Sequence, residues 1–100
     1  MDEQMTSTER DLMATVALVL YLTGETQREL AAAIGLGQAQ ISRRQAGATP
    51  WSVADLDRLA RHWSIPVPDL VAGPEHAARR LPASRRAQTL GGTQTTIPAP

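Results

Sequence analysis

Residues 26–47 read TQRELAAAIGLGQAQISRRQAG, and this stretch decides the fold. Thr26 stands three residues before Glu29, the spacing at which a hydroxyl caps a helix and a carboxylate returns a bond to the cap. Leu30, Ala31 and Ile34 then make an apolar stripe at helical spacing, and Gly35 supplies the left-handed residue that ends the helix. A second short helix is expected over residues 38–46, stopping at Gly47. Two such helices joined by Gly35-Leu36-Gly37 predict a helix-turn-helix. The spacing has mechanical reasons. Ala31 has to be small where the helices cross, Leu30, Ile34, Leu36 and Ile41 peg the crossing angle, and Gly35 turns the chain where a Cβ would be strained.

Working outward, Thr6 with Glu9 and Ser52 with Asp55 repeat the capping pattern, the latter more loosely because Asp is shorter than Glu. They predict a first helix over residues 7–22, with Leu12, Val16, Val19 and Leu20 on one face and a stop near Gly24. A fourth helix begins after Ser52 and turns Val53, Leu56, Leu59, Ala60 and Trp63 inward. A short fifth around residues 68–72 follows Ile65 and Val67. No segment alternates as a strand does. The expectation is an all-α, compact five-helix domain over residues 1–73. From residue 74 the chain holds Gly91, Gly92, four Pro and scattered Arg, with five Thr or Ser from Ser84 onward. That composition has too little apolar surface to offset ordering, so residues 74–100 read as a flexible tail with a frayed helical stretch over residues 74–81.

The chain has 100 residues, 42% of them hydrophobic, which is one small domain. It has no Cys, which excludes disulfides, thiolate zinc sites and cysteine nucleophiles, and its only imidazoles are His62 and His76. The longest apolar run, residues 12–22 broken only by Thr15, is 11 residues long, where a membrane crossing takes about 20. Asp2, Glu3, Glu9 and Asp11 stand where a secretory signal would be basic, so an intracellular, cytoplasmic protein is expected. The formal net charge is +0, but its distribution is uneven: −3 over residues 1–23, 0 over 24–73 and +3 over 74–100. Every basic residue is Arg, which suits forked contact with phosphate or guanine and also fits a GC-rich coding sequence.

At this point residues 27–47, followed by WSVADLDRLARHWSIPVPDLVAG over 51–73, resemble the lambda-repressor and Cro type (XRE family) of DNA-binding domain. The resemblance covers roughly residues 8–73. It implies that Gln27 holds a phosphate and braces Gln38, which binds an adenine edge. It also implies dimers on an inverted-repeat operator of double-stranded DNA, and the work of a phage or bacterial repressor of transcription. Chemistry agrees independently, since a Gln amide presents the donor and acceptor that adenine N7 and N6 require; the alternative is that both glutamines are solvated helix-start residues.

Along the recognition helix Gln38, Ala39, Ser42 and Arg43 point outward to base edges. Arg43 suits guanine and the Ala39 methyl suits thymine, while Arg43 as a phosphate contact or free surface charge stays open. Gln27, Arg28, Gln40, Arg44 and Trp51 are the expected phosphate contacts. Two of them leave alternatives. Arg44 departs from the family, which usually places Ile, Leu or Val there; either its stem lies along the domain while its head reaches a phosphate, or the helix ends early. Trp51 either donates to a phosphate or plugs the loop over the helices.

Asp55 with Arg58 and Asp57 with Arg61 read as surface pairs. His62 and His76 have no partner at a telling spacing. With no nucleophile, base or metal constellation, neither catalysis nor a cofactor is expected. The first helix is apolar on nearly all faces, which asks for a partner, naturally a second copy of the chain, unless a core without Phe uses the extra aliphatics itself. A helix-turn-helix interaction module, an antitoxin or antirepressor acting through that helix, is the competing reading.

Overall fold

Reciprocal capping boxes start three helices of the computed structural model, which describes residues 5–87. Thr6 and Glu9 open α1 (Ser7–Thr23), Thr26 and Glu29 open α2 (Gln27–Ile34), and Ser52 and Asp55 open α4 (Val53–Trp63). Each box satisfies two backbone N–H groups that would otherwise lack partners. Between α2 and α4 lies α3 (Gln38–Gln45); α5 (Val67–Ala72) and α6 (Pro74–Arg80) follow, then a 3-10 turn at Ala83–Arg85. Among the described residues there is no strand, and no helix is long and apolar enough to cross a membrane.

The core is built where the apolar stripes converge. Val16 and Val19 of α1, Leu30 of α2, Ile41 of α3, Leu59 and Trp63 of α4 and Leu70 of α5 are completely buried. Ala31 and Ile34 are buried with them, and Leu36 packs against the cluster from the turn. In this arrangement α1 lies along α5 and α6, while α2 crosses α3 and packs on α4. Gly35 closes α2 at φ +78, and open space surrounds the position of a Cβ, so backbone conformation alone calls for glycine there. Val53 was expected inward. It is 77% exposed, because the first residue of α4 lies on the outer side of the turn that Ser52 and Asp55 close.

The domain boundary moves. Residues 74–87 belong to the fold, with Ala77 and Leu81 buried against α1 and α5, so the helices number six rather than five. Pro74 opens α6 with its ring at the first helical position, and Ala77 is small enough to bring two helices together. One face of α1 is covered here within the same chain, while Ala14, Ala17 and Tyr21 on its outer side stay exposed. The part of the expected tail over residues 88–100 lies outside the described residues.

Candidate nucleic-acid interface

The turn between α2 and α3 sets two glutamines side by side. Gln38 Nε2 donates to Gln27 Oε1 at 3.2 Å, across the N-terminal ends of both helices. On a half-exposed Gln27 and an exposed Gln38, this bond leaves without a partner among the described residues the Gln27 amide N–H groups, the second Gln38 N–H and the Gln38 carbonyl. The last two are the donor and acceptor that an adenine edge matches. Ala39, Ser42 and Arg43 are exposed along the outer face of α3 while Ile41 is buried beneath it. Arg28 and Gln40 are exposed as well.

The first turn of α3 differs from those of α1, α2 and α4. Gly37 caps it without a side chain, and Gln40 Oε1 accepts the Gly37 N–H at 2.7 Å, in the place where the other helices put Glu or Asp. No acid therefore screens this helix start, where backbone N–H groups favour an approaching anion.

Arg44 and Trp51 leave the expected set of phosphate contacts. Arg44 is 13% exposed, with Nε 2.8 Å from Asp55 Oδ2, and its Nη1 donates to the Gln40 carbonyl at 3.1 Å. Its guanidinium lies 5.8 Å from the centroid of the Trp51 ring. Asp55 on the facing helix turns this cation inward, and α3 continues past it to Gln45. The Trp51 indole N–H donates to Gln45 Oε1 at 3.1 Å, so the ring closes the loop and its single donor is used. Gln45 in turn donates to the Met13 carbonyl at 3.1 Å and ties α3 to α1.

Asp55, read from the sequence as half of a surface pair, is 1% exposed. Its carboxylate accepts the Ser52 N–H at 2.9 Å and takes Arg58 at 3.3 Å besides Arg44. Burial pushes its carboxyl up, but the Ser52 backbone bond and the Arg44 guanidinium outweigh that and hold it below the usual aspartate range.

Sequence reasoning missed Glu25, in the turn that delivers the chain to α2. Its carboxylate accepts the Trp63 indole N–H at 2.7 Å and pairs with His62 Nε2 at 2.6 Å. Thr23 Oγ1 is 3.1 Å away. Burial again opposes ionisation, yet the bonds from Trp63 and His62 prevail and the carboxyl stays below its ordinary value. One signal for it was present: a Trp placed in the core brings an N–H that needs an acceptor. The acceptor lies 38 residues away, too far for helical spacing to reveal.

Compared with protein-family models, with curated proteins and with solved structures, the chain gives no significant match.

Proposed function

We propose that this chain is a sequence-specific, double-stranded DNA-binding regulator of transcription, a repressor of the XRE type from a bacterium or phage. In this reading α3 enters the major groove, and the protein works in the cytoplasm as a homodimer on an inverted repeat. The observation that carries the reading is the Gln27–Gln38 bond. It orders two amides at the outer end of a helix-turn-helix, with Ala39, Ser42 and Arg43 exposed beside them. Gln38 then reads an adenine, Arg43 a guanine, and the Ala39 methyl lies against a thymine. Gln27, Arg28, Gln40 and the N–H groups that open α3 hold phosphates.

Two further features support it. The start of α3 lacks the acid found at the starts of α1, α2 and α4, and the face of α1 that carries Leu12, Val16 and Val19 is buried in the core of its own chain. The second feature favours DNA over the competing interaction module acting through α1. A dimer follows from size, since one such domain buries only about 600–1,000 Å² on DNA.

Selection of bound sequences from a random duplex pool tests the proposal. The expected product is an inverted repeat with half-site centres about 34 Å apart. Recovered sequences without a common motif would overturn the reading, and a single asymmetric half-site held by a monomer at full affinity would overturn the dimer.

A further inference from the structure

After α6 the chain reaches the turn from which α2 starts. The Ala87 N–H donates to the Leu22 carbonyl at 2.8 Å. The Ala87 methyl would stand 3.1 Å from a Cβ at position 24, where Gly24 leaves room for it. Arg85 Nη2 lies 3.4 Å from His62 Nδ1, and His62 Nε2 is 2.6 Å from the Glu25 carboxylate. Arg85 Nη2 is also 3.5 Å from His62 Nε2, so the guanidinium lies against the imidazole ring and not on one of its nitrogens alone. Glu25 directly precedes Thr26, the cap of α2, and Gln27 is the next residue. Backbone and side-chain bonds together therefore fasten an arginine-bearing segment beside the N-terminus of α2.

The charge of this segment is not balanced within the fold. Residues 74–87 carry Glu75 against Arg79, Arg80, Arg85 and Arg86. Asp69 takes Arg80 at 3.5 Å. Arg86 is exposed and donates to the Ala78 carbonyl at 2.7 Å, a bond that orients its guanidinium without neutralising it. Glu25 is turned inward to Trp63 and His62 with 19% of its side chain exposed. Arg85 and Arg86 thus directly precede the Ala87–Leu22 bond near the helix start that the proposed reading places on a phosphate, Arg85 held against His62 and Arg86 held at the Ala78 carbonyl of α6. A DNA strand presents a phosphate about every 3.4 Å of helix axis, so a strand that meets Gln27 offers further phosphates alongside.

We infer that Arg85 and Arg86 form a second, sequence-independent contact with the phosphate backbone of duplex DNA, flanking the phosphate met by Gln27. The inference rests on the proposed reading of α2 and α3. It assigns the C-terminal segment to the binding surface as a docked element.

The test measures binding of the full chain to a selected duplex and to a scrambled one across a salt series. The parent is compared with Arg85→Gln/Arg86→Gln and with Arg85→Lys/Arg86→Lys, each checked for folding by thermal unfolding. The Gln pair is expected to weaken both duplexes by a common factor. It should also flatten the slope of log K against log salt by about 0.9 for each phosphate lost. The Lys pair, which keeps the charge, should retain the parent slope. An unchanged slope in the folded Gln pair overturns the inference, as does an equal loss in both pairs, which would make the role one of packing. A parent that holds both duplexes equally overturns the helix-turn-helix reading instead, whatever the two pairs do.

Discussion

Arg44 and Asp55 stand 11 positions apart and meet at 2.8 Å, the guanidinium Nε on Oδ2, with 13% and 2% of their side chains exposed. The same carboxylate closes the cap of α4 by accepting the Ser52 N–H. One acid thus starts α4 and fastens α3 to it. Removing one partner of a buried pair strands the other charge, at a cost of about 3 kcal/mol. Asp55→Ala should lose about that much in urea unfolding. Arg44→Leu should also be destabilising, because it leaves the buried Asp55 carboxylate without this partner. A wild-type midpoint in Asp55→Ala would remove the pair from the account of stability.

The acid limb of stability follows from the same carboxylates. Asp55 and Glu25 both titrate below their ordinary values of 3.8 and 4.5 in the fold. A depressed acid stabilises the fold above its unfolded value and loses that contribution as pH falls through its folded value. Unfolding free energy is therefore expected to be level in these two groups above about pH 5 and to fall below about pH 4. Glu25→Gln should show a shallower acid limb than the parent, with a lower plateau at neutral pH. An identical limb in Glu25→Gln would contradict this.

Under the proposed function, the losses expected on the outer face of α3 are in binding, not in folding. Gln38→Ala and Arg43→Ala should each cost about 1–3 kcal/mol on the selected duplex and relax preference at one or two base positions per half-site. Thermal stability should hardly change, because both side chains are exposed. Uniform weakening on every sequence would instead mark a phosphate contact.

Leu81 is 4% exposed, and Ala77 beside it is fully buried. Leu81→Ala should destabilise by about 2–5 kcal/mol, as large-to-small core changes do. Truncation after Gly73 removes α6 from α1 and should lower the thermal midpoint further. A truncated chain as stable as the parent would show α6 to be dispensable.

Two glycines at positive φ should respond differently. At Gly35 an added Cβ meets nothing within 4 Å, so Gly35→Ala pays only for a left-handed backbone, about 1 kcal/mol. At Gly47 the Cβ would come within 2.7 Å of the Met5 Cε. Gly47→Ala should therefore be the more destabilising unless the flexible methionine moves aside, and equal costs in the two variants would show that it does.

Much of this protein is local, and residue spacing alone sets that part. The Thr6–Glu9, Thr26–Glu29 and Ser52–Asp55 boxes and the left-handed Gly35 act within one helical turn, so helix starts and stops could be read from spacing. The stripe of Leu30, Ala31 and Ile34, with Ile41 on the next helix, likewise announced which faces turn inward and left Gln38, Ala39, Ser42 and Arg43 outside. Tertiary structure decided the rest, because polar partners are chosen by proximity in space and not by period. Arg44 is turned inward by Asp55, Trp51 is occupied by Gln45, and Trp63 and His62 meet a Glu25 that no helical spacing connects to them. Residues 74–87 look too polar to fold when weighed alone. Ala77 and Leu81 become core only because α1 offers an apolar face to cover, and the stability of so short a helix comes from that packing.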